Sequence, residues 1–432
     1  MRVLLIAGFS NDEVRRHMVF NSHARLFNGL IRLFGLPQHV GKFSDHAPWV
    51  SNMIKDLEKR NDIELHVAGP HIRLKRAIEE FEIGGVSYHF FRAEISSFFR
   101  LVGNYKIWKK LQRSCHYMKK ILEKIDPDIV VLSGAENPTT SISILAANKY
   151  PRLCLCQTVY NDDNLDGFFK RDKLHMDLEK DIISNLDHVG VYSKKHYLLI
   201  RELGYKKNIY RFSYPTPFLQ ENPSIEKIYD FVNYAANHGS VKGTQDSIKA
   251  MALLKDEKPN VTLNIVGKVN EQLMVELKSL IDQYSLQKNV YFTPAFENRD
   301  ELLEHIQKSH YAVLPCKNDF ISGTTVESMM LGIPAVVYKT AGTPTLNNEK
   351  ECVLIAENGD VNDLANKMAS LINCQDKAVS IRENGKWYMK KWIDNNNKKW
   401  ENMVNCFGYI IEQYQTGKQV PVKMLFDENE DS

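Results

Sequence analysis

Two carboxylates, Asp319 and Glu327, stand eight positions apart in the stretch DFISGTTVESMMLGIP (319–334). Between them lies Ser322-Gly323-Thr324-Thr325, small polar residues that suit the cap and first turn of a helix. The first amides of a helix have no intrahelical acceptor and carry partial positive charge, so such a tip suits a phosphate or diphosphate. Gly323 lets an anion approach the backbone, and Thr324 and Thr325 add hydroxyl donors. Glu327, one turn in, can accept both hydroxyls of a ribose, and Asp319, before the turn, can reach the hydroxyls of a sugar. Read alone, the same stretch is equally an ordinary capped helix whose acid favours the helix start.

A second stretch, NYAANHGSVKGTQDSIKAMALLK (233–255), runs from a strand through Gly239 and Val241-Lys242-Gly243 into an amphipathic helix. An ammonium on the loop after a strand can neutralise a departing diphosphate. A surface lysine before a helix is the plain alternative. Two such pieces at strand ends of one domain argue for a shared site.

The elements that must position them are legible from periodicity. Buried-strand patterns occur at 2–8, 63–69, 128–134, 153–159 and 188–193, with helical patterns between them, among them 104–125 and 139–149. After a proline-containing segment at 210–227 the alternation restarts, with strands at 230–236, 261–267, 289–295, 311–316, 333–338 and 352–356. This predicts an α/β fold of two doubly wound Rossmann-like domains facing across a cleft, with ligands beyond the carboxyl ends of the strands. The expected domains are 1–215, 216–383 and a C-terminal segment, 384–432. In that segment a helix bearing Trp387, Trp392 and Trp400 crosses back to pack on the first domain, and the tail DENEDS is disordered.

Other stretches are ambiguous. GAENPTT (134–140) follows a strand, so Glu136 and Asn137 either face the cleft or merely cap a helix. DPD (126–128) precedes its strand and reads as a structural turn. NDDNLD (161–166) reads as a solvated or acceptor-side loop. The stretch 88–113, aromatic and basic, is expected to be a helix with a core stripe, membrane or glycan contact being the alternative.

The totals set outer limits. The chain has 432 residues, 43% hydrophobic and 25% charged, the mix of a soluble globular protein. No apolar run suits a membrane span, and the first residues read as a buried strand instead of a signal peptide. Seven cysteines without a CxxC pair suggest a reducing, cytoplasmic compartment. The first 215 residues carry a net charge of +9 and the remainder −6. That asymmetry suits an anionic acceptor or membrane surface, or simply two solvated faces of different composition.

Over 230–375 the chain resembles the nucleotide-binding domain of glycosyltransferase family 4, retaining enzymes of the two-domain GT-B fold. The residues that carry the resemblance are Lys242-Gly243, Asp319-x7-Glu327 and Gly332-Ile333-Pro334-Ala335-Val336-Val337, followed by TAGTPTLNN and CVLIAENGDVNDLANKM. Over the first half the resemblance rests only on LLIAGFSN and PDIVVLSG. It implies that Lys242, Asp319 and Glu327 serve catalysis: Glu327 holds the ribose, Lys242 and the Gly323–Thr325 amides the diphosphate, and Asp319 the donor sugar. Gly8, Asn237, His238, Gly243, Gly267 and Ser322 complete the expected donor site, with Glu136, Asn137 and Tyr160 on the acceptor side. It further implies a UDP- or GDP-sugar as substrate, no metal and no other cofactor. The acceptor would be a glycan or lipid-linked glycan, with peripheral membrane contact and no nucleic acid partner. The chain departs from the pattern at three places. Asp319 replaces a glutamate, Asn237 stands where an arginine is expected, and Tyr160-Asn161 replaces His-Asp. One of the two positive charges is therefore missing or comes from elsewhere, and His238 can supply it if protonated. A non-catalytic nucleotide-sugar-binding subunit is the competing expectation.

Overall fold

The computed structural model describes residues 1–19, 47–71, 74–92, 103–156, 158–162, 173–296, 298–319 and 321–427. Two compact units emerge: Met1–Thr216 together with Asn395–Ser432, and Pro217–Asp394.

Among the described residues the first unit holds eight strands: β1 (Arg2–Ile6), β2 (Glu64–Pro70), β3 (Ile78–Ile83), β4 (Val86–Phe91), β5 (Ile129–Ser133), β6 (Arg152–Cys156), β7 (His188–Val191) and β8 (Asn208–Arg211). Their order in the sheet is β3-β4-β2-β1-β5-β6-β7-β8. All neighbours are parallel except the β3–β4 hairpin. The second unit holds β9 (Tyr229–Asn237), β10 (Leu263–Lys268), β11 (Val290–Thr293), β12 (Ser309–Leu314), β13 (Ala335–Tyr338) and β14 (Leu354–Ala356), all parallel in the order β11-β10-β9-β12-β13-β14.

Apolar runs become central strands because both faces are covered. In β1, Val3 and Leu5 enter one core and Leu4 and Ile6 the other. In β9, Phe231 packs on one face and Val232 and Tyr234 on the opposite one. Each sheet grows outward from a central strand and then returns to its other side. The strand order therefore reverses between β1 and β5, and between β9 and β12.

Every strand expected from periodicity is present. The hairpin β3–β4 and the strand β8 are additional, and β8 takes the first residues of the expected linker. Residues 88–91 form part of β4 instead of a helix. Tyr88 and Phe90 enter one core and Phe91 the other, so an aromatic run that suits a helix stripe serves a strand. Residues 93–102 and 428–432, including most of the expected disordered tail, lie outside the described residues, and a helix spans Gly103–Ile125. The helix expected over 139–149 is a short turn, Pro138–Ser141, followed by a tighter 3-10 segment, Ile142–Ala147.

The final helix runs Gln375–Thr416, starting earlier than the expected boundary. Met389 and Ile393 fill a core of the second unit. Trp400, Met403, Val404, Phe407 and Ile410 fill a core of the first. Only Trp400 of the three tryptophans packs there. Trp392 is half-buried against the second unit, and Trp387 lies under Lys350, whose ammonium is 4.4 Å from the ring centre. Trp400 Nε1 donates to Asp56 at 2.6 Å.

Truncating Trp400 to alanine should cost about 3–5 kcal/mol in the unfolding of the first unit, read by denaturant titration. His188 gives a separate expectation. It is buried on β7, its Nδ1 2.8 Å from the Tyr210 hydroxyl on β8, and burial lowers its pKa to about 4. An unfolded histidine takes a proton near 6.5, so the unfolded chain binds more protons between those values. Stability should therefore be intact above pH ~6.5 and fall by roughly 3 kcal/mol toward pH ~4. His188→Gln should flatten that slope in thermal melts taken across this range; an unchanged slope would exclude His188 as its source.

Candidate nucleotide-sugar site

The second unit brings two loops together at the carboxyl ends of β9 and β12, the strands that flank its point of reversal. After β9 the chain passes His238 and Gly239, makes a 3-10 turn over Ser240–Lys242, and reverses at Gly243 with φ +66°. A side chain at Gly243 would place its Cβ 2.1 Å from the Pro315 carbonyl oxygen on the loop after β12. The Lys317 amide donates to the Val241 carbonyl at 2.8 Å, stitching the same loops. This close approach puts Lys242 Nζ 3.9 Å from Asp319 Oδ2 and 3.9 Å from Cys316 Sγ. Both charged side chains keep about a third of their surface in solvent, so each can turn to a bound group.

The helix Gly323–Met330 follows. Ser322 caps it, its Oγ accepting from the Thr325 amide at 3.3 Å. That oxygen also lies 3.0 Å from Thr324 Oγ1 and 2.8 Å from Thr325 Oγ1. Ser322 and Thr325 are thereby buried, which corrects the expectation that the Thr325 hydroxyl faces a ligand: the cap consumes it. Gly323 is exposed, with no heavy atom within 4 Å of the position a Cβ would take. The open part of the tip is thus Gly323 and Thr324. Beneath it, the buried Tyr234 hydroxyl donates to the Thr324 carbonyl at 2.7 Å and lies 3.1 Å from Ser328 Oγ, pegging the helix to β9.

His238 does not supply the charge expected of it. It is 4% exposed; its Nδ1 accepts from the Thr244 hydroxyl at 2.8 Å and its Nε2 donates to the Val266 carbonyl at 3.0 Å. Burial lowers its pKa, and both ring nitrogens are engaged as in a neutral imidazole. Gly267, at φ +135°, would drive a Cβ to 1.8 Å from the Ala235 carbonyl, so it is a packing glycine between β10 and β9. Asn237 is exposed at the end of β9.

Two groups here escaped sequence reading. Arg299 opens the helix Arg299–Ile306 after β11, and its Nη2 donates to Glu327 Oε1 at 2.7 Å. Lys317 Nζ meets the buried Asp246 at 2.8 Å, and the Tyr338 hydroxyl donates to the same carboxylate at 3.1 Å. An arginine opening a helix after a strand is a signal of sorts, but nothing local ties it to a residue 28 positions away.

The first-unit candidates share the carboxyl edge of adjacent strands. A Cβ on Gly8, after β1, would meet Thr140 Oγ1 at 3.0 Å. Asn137 caps the short turn after β5, accepting from the Thr139 amide at 3.2 Å, and is otherwise exposed. Glu136 Oε2 is shut off from solvent without a partner among the described residues, and burial raises the carboxyl to about 7. Tyr160 and Asn161, after β6, give their amides to the buried Glu179 at 2.7 and 2.9 Å, and Asn161 Nδ2 adds a third bond at 2.6 Å. Asp162 is buried against Lys195 instead of solvated; residues 163–166 of that loop lie outside the described residues. The turn at 126–128 is structural, as expected: Asp128 accepts from the Arg2 amide at 2.7 Å.

Residues 217–387 match the family described as "Glycosyl transferases group 1". An uncharacterized glycosyltransferase of Methanocaldococcus jannaschii is 28% identical over 114 residues, 26% of this chain and 31% of that protein. The chain spans less than half the length of the curated relatives it matches. Sucrose-phosphate synthase of Thermosynechococcus elongatus superposes with a TM-score of 0.60 at 14% identity, covering 96% of this chain and 100% of that one. Anabaena HepE, solved in complex with UDP-glucose, gives 0.59 at 14% identity over 94% and 100%. These likenesses show the fold, two Rossmann-like domains of the GT-B class, and the second unit carries a glycosyl transferases group 1 domain.

Gly243→Ala should force the turn out of its left-handed conformation, which costs about 1–2 kcal/mol, and push it off Pro315. A crystal structure or amide hydrogen exchange of the 239–243 loop should show it displaced; an unmoved loop would mean that this contact does not set its path.

Proposed function

We propose that this chain is a retaining, metal-independent glycosyltransferase, of family 4 by resemblance. It would move a sugar from a UDP- or GDP-linked donor to a glycan or lipid-linked acceptor. The observation that carries the reading is the pairing of Lys242 with Asp319 beside the open tip at Gly323, at the strand reversal of a group 1 domain. The carboxyl ends of strands at such a reversal are where ligands of doubly wound sheets sit.

In this reading the amides of Gly323 and Thr324 and the Lys242 ammonium receive the charge that develops on the leaving diphosphate. Fixed dipoles and a nearby cation act on that charge without reorganising at the moment of reaction. The bond from the anomeric carbon to the diphosphate oxygen breaks, and a bond to the acceptor oxygen forms on the same face. The departing phosphate takes the acceptor's proton. Asp319 holds the donor sugar, Glu327 the ribose, and Gly267 with the end of β10 borders the base. Glu136, Asn137 and Tyr160 meet the acceptor on the first unit. The UDP-glucose complex of HepE makes UDP the first nucleotide to try. A basic first half and a chain in which no described helix is long and apolar enough to cross a membrane fit peripheral work at the inner membrane face, in the cytoplasm.

A second reading, a catalytically weak nucleotide-sugar-binding subunit, is favoured by one observation: Asn237 and a neutral His238 leave Lys242 as the cation of that loop. Incubation with UDP-, GDP- and ADP-sugars separates the two. Slow release of free diphosphate supports the transferase, and tight binding without turnover supports the subunit. Lys242→Ala and Glu327→Ala should each lower turnover by about 10²–10³-fold or more while circular dichroism stays unchanged; near-normal rates in both would remove these residues from the site.

A further inference from the structure

The ion pair between Arg299 and Glu327 joins elements from opposite sides of the strand reversal. Arg299 belongs to the helix that follows β11, on the β10 side of β9, and Glu327 to the helix that follows β12, on the other side. Glu327 keeps 19% of its side-chain surface and Arg299 keeps 50%, so the carboxylate is the sheltered partner and the guanidinium the exposed one. The fully buried Tyr234 lies under the same helix turn, bonded to Thr324 and Ser328, which holds the Glu327 backbone in place.

A carboxylate can accept about four hydrogen bonds. Oε1 gives one of its positions to Arg299 at 2.7 Å, and that charge-assisted bond fixes the rotation of the group. Without it, a carboxylate at the end of a flexible side chain would have to lose that freedom when a ligand arrives. An oriented acceptor beside a helix tip suited to phosphate is what a ribose diol next to a diphosphate requires.

We propose that Arg299 is a positioning residue for nucleoside recognition: by fixing Glu327 it gives the site its preference for an intact ribose diol. This rests on the reading of Glu327 as the ribose acceptor. Arg299 itself bonds the carboxylate and leaves the diphosphate to Lys242 and the helix tip. Its effect is therefore confined to the sugar hydroxyls of the nucleoside.

Calorimetric binding of UDP, UMP and 2′-deoxy-UDP, and of GDP and 2′-deoxy-GDP, to the wild-type chain and to Arg299→Met and Arg299→Lys tests it. The wild type should favour the ribonucleotide, and Arg299→Met should reduce that preference by about tenfold, the usual worth of one hydrogen bond to a charged group. Arg299→Lys should restore part of it, and the ratio of UDP to UMP affinity should stay constant across all three proteins. A general folding defect would lower the melting temperature and the number of filled sites while leaving both ratios unchanged. An unchanged ribose preference in Arg299→Met, or tighter UDP binding there, would overturn the proposal, the latter by showing Arg299 to be a competitor of the ribose. Absence of any binding of UDP or GDP to the wild type would instead overturn the nucleotide-site reading on which it stands, an outcome visible before any variant is made.

Discussion

The contact between the Gly243 turn and the Pro315 carbonyl governs the carboxyl edge of the second unit's sheet. A backbone approach this close admits only a residue without a side chain, and only one that tolerates φ +66°. From it follow the hydrogen bond from Lys317 to Val241 and the placing of an ammonium opposite a carboxylate. Neither loop is long, and each is anchored at the end of a central parallel strand. The backbone that carries the two charges is thereby fixed by the sheet, while the side chains themselves stay a third exposed. That is the arrangement a site needs if its dipoles are to be in place before charge develops.

Around this contact the buried polar groups are satisfied by internal partners. Ser322 serves the helix start, Tyr234 ties that helix to β9, and Thr244 and Val266 engage both ring nitrogens of His238, whose pKa burial lowers. Satisfied buried networks are rigid and costly to break, so they define one geometry. The first unit handles its edge in another way. Glu179 spends its buried carboxylate on the Tyr160–Asn161 loop, whereas nearby Glu136 retains an oxygen with no partner among the described residues. A buried acceptor left open is expensive unless something completes it or it stays protonated. The raised pKa of Glu136 is the second outcome in physical form.

Much of this was legible in the residues. Apolar runs flanked by glycine and polar turns mark every central strand, because a strand covered on both faces leaves little room for polar side chains. Lys242, Gly243 and the Ser322 cap could be read because their signals are local. What escaped was non-local or depended on burial. The β3–β4 hairpin carries Glu79, Glu80 and Glu82 on a strand at the sheet edge, which hides its period. Whether Thr325 faces a ligand or its own cap depends on burial of the helix start, and whether His238 is charged depends on burial and on partners as far away as Val266. The same holds for Arg299, whose partner lies in a different helix. The unit boundary was missed by about ten residues because one uninterrupted helix carries the chain from the second unit back into the first.

That helix has a consequence for synthesis. The strands of the first unit leave the ribosome early, yet Trp400, Met403, Phe407 and Ile410, which share a core with residues of β1, β5 and β6, are supplied only after the whole second unit has been translated. The part made first is therefore completed last. For most of its time as a nascent chain it carries an incomplete apolar core, the kind of surface that chaperones shield and that neighbouring nascent chains can seize.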